Sequence, residues 1–238
     1  MKFFLLTLLL SFSVTAEETE YHKETGRTFV KSNYEGWNVF VNKDVLKNKN
    51  WPKAKILITY QLMKLKVKLN DSVIKAMQKI PIYVDIKQEK KGGAEYHPSK
   101  AWLVANGFSP KKARCVEISG IAEFIEYDED MPWILLHELM HAYHHQVLTF
   151  EHKEILKCFT EARKKKKYNK TLFIDGRQRT HYASSNHKEY FAEAAEAYFG
   201  VNDYFPFVRA EILKYDPQIC KVLSKLAKSN KKTVKTGK

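Results

Sequence analysis

The segment from Pro132 to Leu148 constrains this chain more than any other. It is apolar on nearly every side, as a helix buried at the centre of a domain would be, yet it carries His137-Glu138-Leu139-Met140-His141. Residues four apart share a helix face, so the two imidazoles point the same way and can hold one cation. Polar decoration of a surface does not account for the pair. Trp133, Ile134, Leu135, Leu136, Leu139 and Met140 would bury it, and buried histidines demand partners. Glu138 follows the first histidine by one position, which places its carboxylate beside a metal rather than on it, where a general base belongs. Zinc lowers the pKa of water from about 15.7 towards 7, and such a carboxylate can take the proton as the water attacks a peptide carbonyl.

A structural zinc site closes on four protein ligands and a catalytic one keeps a position open, so the third ligand decides the class. One known continuation of the motif needs glycine at position 144 and histidine at 147; this chain has His144 and Val147, which excludes it. The other takes a glutamate from a separate downstream helix. Glu189, Glu193 and Glu196 fall within about 60° of one another on a helical wheel. A plain amphipathic helix would turn such a stripe to water. Here Ala192 and Ala197 flank it, allowing close approach to another helix, and three carboxylates at mutually repelling spacing call for a cation. His144 and His145, near the end of the first helix, are expected to be cationic residues favoured by the helix dipole rather than ligands. His97 reads as a loop histidine.

The run Tyr182-x6-Glu189-Tyr190-Phe191-Ala192-Glu193, downstream of His-Glu-x-x-His, resembles the catalytic domain of anthrax toxin lethal factor and its relatives, which include secreted Pro-Pro endopeptidases. The resemblance covers roughly residues 130 to 200. It implies an α+β, zincin-like single catalytic domain with a small sheet and a central HExxH helix. It also implies Glu189 as the third zinc ligand beside His137 and His141, Glu193 as partner to a ligand imidazole, and the Tyr182 hydroxyl as the group that steadies the oxyanion. Chemistry permits these roles. A phenol with a pKa near 10 stays protonated at neutral pH, and donors of this kind are typically worth about 2.7 to 4 kcal/mol. A carboxylate can orient a zinc-bound imidazole by accepting its other N–H. His181 is the alternative donor to Tyr182.

The remaining sequence frames that site. Met1-Lys2, the apolar run Phe3 to Leu10 and the small-residue end Val14-Thr15-Ala16 have the layout of a cleaved secretory signal over residues 1–16. The run is shorter than the roughly 20 residues a spanning helix needs, and no later segment is apolar for long enough. The expectation is a secreted, extracellular protein with one domain over residues 17–226 and a basic disordered tail over 227–238. A chain of 238 residues with 44% hydrophobic side chains suffices for one core. In an oxidising setting Cys115, Cys158 and Cys220 allow one disulfide and leave one thiol. The net charge of +14, with runs such as Arg163 to Lys167, gives non-specific attraction to anionic surfaces but no motif for specific nucleic-acid recognition.

Hydrophobic periodicity predicts a hairpin over Arg27 to Val41 broken at Glu35-Gly36, and two helices between residues 53 and 80 with a restart at Asn70-Asp71. Strands are expected at Ile82 to Ile86 and Ala113 to Ile118, with a loop from Lys90 to Ser99 between them. Helices follow at Glu151 to Lys166 and, after a loop to Ser185, at His187 to Phe199 with Asn186 as cap. Phe207 to Leu226 reads as two short helices split at Asp216-Pro217. The function these readings point to is a zinc-dependent endopeptidase with one Zn2+ per chain, Glu138 as general base, and a protein or peptide as substrate. The alternative is a secreted binding protein that keeps the metal, has lost turnover and holds an anionic partner; it needs neither Glu138 nor Tyr182.

Overall fold

The first hairpin turns on Glu35 and Gly36, both with positive φ (55° and 98°), the backbone pair that matches the twist of the flanking strands. A side chain at Gly36 would collide with Gln78, whose amide donates to the Glu35 carbonyl. The computed structural model describes residues 18–87 and 93–228 as a single α+β domain. The expected signal at 1–16 and nearly all of the expected tail lie outside these residues.

Strands β1 (Thr19–His22), β2 (Arg27–Tyr34) and β3 (Trp37–Asn42) form an antiparallel meander. Helices α1 (Lys43–Leu46), α2 (Trp51–Lys68) and α3 (Asp71–Met77) then cross to β4 (Ile82–Asp85), parallel to β3. Asn70 restarts the chain as expected, its side chain accepting from the Val73 N–H at the start of α3. Next come β5 (Gly93–Tyr96), α4 (Lys100–Ala105), β6 (Val116–Ser119) and α5 (Ile121–Tyr127). Helix α6 (Ile134–Tyr143) runs on into a π-helical turn (His144–Leu148), followed by α7 (Lys153–Lys164) and the small hairpin β7 (Thr171–Leu172) and β8 (Gln178–Arg179). A 3-10 turn (Tyr182–Ser184), α8 (His187–Phe199), α9 (Arg209–Tyr215) and α10 (Pro217–Ser224) complete the chain. Among the described residues no helix is long and apolar enough to cross a membrane.

The sheet order is β1-β2-β3-β4-β6-β5, which makes β5 an edge strand, antiparallel to β6. This corrects the expectation of a loop from Lys90 to Ser99. Gly93–Tyr96 is too short and too polar to show alternation, and pairing with β6 supplies what local pattern does not. The strand expected from Ala113 starts at Val116, because Arg114 takes a positive φ of 65° after a turn at Pro110–Lys112. The interval before Ser185 holds β7, β8 and the 3-10 turn instead of a plain loop. Among the described residues, which include all three cysteines, there is no disulfide: Cys115 packs with Phe29 and Tyr83 in a small cluster of its own, while Cys158 and Cys220 sit free on α7 and α10.

Every residue of α6 is buried, and it packs chiefly against α8, whose alanines permit close approach. The two helices also meet where α8 ends. A Cβ at Gly200 would lie 2.2 Å from the indole of Trp133, the residue just before α6.

Candidate metal centre

One turn of α6 separates His137 from His141, and their Nε2 atoms converge to 3.0 Å. Glu189 arrives from the first turn of α8, held there by Asn186, whose side-chain oxygen accepts from the N–H groups of Lys188 and Glu189. Its Oε2 lies 3.2 Å from His137 Nε2 and 3.0 Å from His141 Nε2. Nitrogen and oxygen ligands about 2.0 to 2.1 Å from a tetrahedral zinc are about 3.3 Å apart, so this triangle fits that ion with little adjustment. The structure thus brings together the three residues expected as ligands, in a group that could hold a metal ion.

Electrostatics at the site favour a cation. Burial opposes a charged His137, yet the carboxylates of Glu189 and Glu196 outweigh it and hold the imidazole well above its ordinary pKa. Burial would raise Glu189, but its hydrogen bonds with His137 and His141 keep it far below the usual carboxylate range. His141 is lowered by burial. Glu138, also buried, is pushed up to about 8, first by burial. Its Oε2 accepts the Tyr96 N–H at 2.7 Å, which ties α6 to the edge strand.

The far side of His137 corrects one expectation. Its Nδ1 meets Glu196 Oε1 at 2.6 Å, whereas Glu193, the residue the resemblance places there, stays 3.8 Å away. The imidazole and its two contacts span more than one helical turn of about 5.4 Å, so the carboxylate two turns beyond Glu189 reaches the rear nitrogen and the one at a single turn falls short. Glu193 Oε2 is buried with no hydrogen-bond partner. Burial and the neighbouring Glu196 hold Glu193 well above its ordinary pKa.

A cleft of about 270 Å³ reaches the site at His137 and Glu138 and is lined as well by Tyr182, Glu193, Glu196, Asp203 and Tyr204, with no lysine or arginine; His141 and Glu189 do not line it. Tyr182, 50% exposed, lines this cleft. His181 does not line it: it is buried, its Nδ1 accepts the Ala183 N–H, its ring stacks on Tyr204, and burial lowers its pKa to about 3. His181 therefore shapes the turn that carries Tyr182. A larger groove of about 500 Å³ runs between α7 and α10, but its Glu154, Cys158 and Glu161 do not form a converging donor group.

Two further donor groups lie among the described residues. Glu193 and Glu196 behind His137 belong to the same site. Glu95, His97 and Glu117 form the other, where Glu117 is already neutralised by the buried ammonium of Lys112 at 2.5 Å and hydrogen-bonded to His97 at 2.7 Å. His97 is thus a buried member of an ion network, not an idle loop residue. His144 and His145 also depart from expectation. Burial lowers His144 to about 3 and lowers His145, so neither is the cation the helix dipole would favour. His145 instead meets the Tyr96 hydroxyl at 2.8 Å and stacks on Phe150.

Comparison of the chain with family models, with curated proteins and with solved structures found no match.

Proposed function

We propose that the chain is a secreted zinc-dependent endopeptidase with a zincin-like fold, grouped with the lethal factor catalytic domain and its relatives. One observation carries the reading. Donor atoms of His137, His141 and Glu189 lie within 3.2 Å of each other, and His137 also lines a cleft together with Glu138 and Tyr182.

Zinc held by those three side chains would polarise a carbonyl and acidify water. Glu138 takes the proton from the attacking water and passes it to the leaving amine. Its buried carboxyl, anchored by the Tyr96 N–H, can hold a proton in between. Tyr182 stays protonated at neutral pH, since burial raises its pKa, and it donates to the oxygen as negative charge develops there. Glu196 fixes His137 by accepting from Nδ1, leaving Nε2 for the metal.

A peptide suits the cleft because β5 is an edge. The N–H of Tyr96 points away from β6 towards Glu138, and by strand alternation the N–H and C=O of Ala94, which lines the cleft, face the same way. An extended substrate can add to that edge as a further strand.

The test is a peptide-library digest by the purified, zinc-loaded protein. Cleavage is expected, and Glu138→Gln should keep one zinc per chain while lowering turnover by roughly 10²- to 10⁴-fold. A protein that holds one zinc and cleaves no peptide would be the binding protein instead.

A further inference from the structure

Helix α2 has two apolar faces. Ala54, Ile58, Leu62 and Leu65 pack into the core and are buried. On the opposite side Ile56, Tyr60, Met63 and Val67 are 68%, 51%, 47% and 66% exposed. At 3.6 residues per turn these four fall within an arc of about 60°, at spacings of four, three and four residues, the seam that one helix offers to another. Packing among the described residues does not explain the row, because it points away from the core.

The charge that helix α2 itself carries has one sign. Helix α2 contains five lysines and no acidic residue. Lys64 and Lys66 border the row, tied by their ammonium groups to the Pro132 carbonyl (2.6 Å) and to Glu35 (2.7 Å), while Lys53 and Lys68 are exposed. At Val67 the row runs into a cavity of about 420 Å³ whose walls include Lys68, Arg209 and Lys228 and no carboxylate.

We infer that this face docks an acidic amphipathic helix of a partner protein. The partner's apolar residues lie along Ile56, Tyr60, Met63 and Val67, and its carboxylates face the flanking lysines and the cationic cavity. A second copy of the chain would set lysine against lysine. The segment after Lys228 carries Lys231, Lys232, Lys235 and Lys238 and no acid, so it is repelled as well. An anionic bilayer needs a broader apolar face than this row of about 60° offers.

The probe is a fluorescent three-heptad peptide with leucine at the seam positions and glutamate on both flanks. Anisotropy should show binding to the purified protein that weakens as salt is raised. A double variant, Ile56→Ser with Val67→Ser, should bind roughly tenfold less or weaker while its circular dichroism and thermal midpoint stay unchanged, both residues being exposed. Lys68→Glu should weaken binding too, and a lysine-flanked version of the peptide should not bind. Four results would each overturn the inference: equal binding by the double variant, binding of the lysine peptide, sedimentation with phosphatidylserine vesicles that the double variant abolishes, or a dimer that the double variant dissociates.

Discussion

At pH 7 a metal-free site holds protons that a dication must displace. His137 is raised above its ordinary 6.5 by its carboxylate partners against the pull of burial, and burial lifts Glu138 to about 8. Zinc uptake should therefore release protons, and apparent affinity should climb as pH rises towards about 8. Calorimetry at pH 7 in two buffers of different ionisation heat measures the release; equal heats would reject the account. Removal of single carboxylates should rank in a definite order. Glu189→Ala should lose most of the zinc, Glu196→Ala should weaken it by roughly 10- to 100-fold, and Glu193→Ala should do less than either, as titration against a graded chelator would show. An emptied site in Glu193→Ala with a full one in Glu196→Ala would reverse the assignment behind His137. The two histidines of the α6 motif were legible because helical period alone fixes their common face, and Glu138 because it follows the first of them by one position. Glu189 was legible through its cap and through resemblance. Which carboxylate meets Nδ1 depends on the spacing between α6 and α8, and no local pattern encodes that distance. The neutral state of His144 was likewise hidden, since it follows from burial by side chains such as Phe150 and Phe191.

Between the strands lies a charge network as deeply buried as the metal centre. Lys112 is fully buried with Asp85 and Glu117 each 2.5 Å from its ammonium, and Arg27 on β2 adds a second cation to Asp85 at 2.7 Å. Burial opposes ionisation of both carboxyls, but Lys112 and Arg27 hold Asp85 low, and His97 and Lys112 hold Glu117 low. Carboxyls with folded pKa values below their unfolded ones add stability that is present above the unfolded values of about 4 and lost as pH falls through the folded ones. Urea midpoints should therefore drop in acid. Lys112→Met should lose about 3 to 5 kcal/mol at neutral pH by leaving two buried carboxyls short of a partner, and its acid sensitivity should shrink or reverse. A variant as stable and as acid-sensitive as the parent would show the network contributes little. Long periodic elements such as α2 and α6 were legible with small errors at their ends, and α8 with none. The edge strand β5 was not, because four residues with Gly93 at their head carry no period, and their strand character comes from β6.

A metal held by His137, His141 and Glu189 would link two helices that already meet through packing and through the hydrogen bond of His137 with Glu196. Ligand binding to the folded state stabilises by about 2.7 kcal/mol at a hundredfold excess over Kd, and a domain of this size shifts by about 2 to 4 °C per kcal/mol. Chelation should lower the thermal midpoint by roughly 5 to 10 °C, and Glu189→Ala should abolish the difference; a midpoint indifferent to chelator in the parent protein would mean that the site holds no metal. The overall α+β class and the single domain were legible in the order of elements, whereas the approach of α6 to α8 rests on contacts no segment announces by itself. Gly200 is one of those contacts. Its missing side chain lets the indole of Trp133 lie flush against the end of α8, so the bare position acts as a spacer gauge between the two helices that carry the ligands. Thickening that gauge by a single methyl group would act as a shim. Gly200→Ala should weaken zinc binding by His137, His141 and Glu189 from a residue that touches none of them, so that helix separation would set the strength of the candidate site.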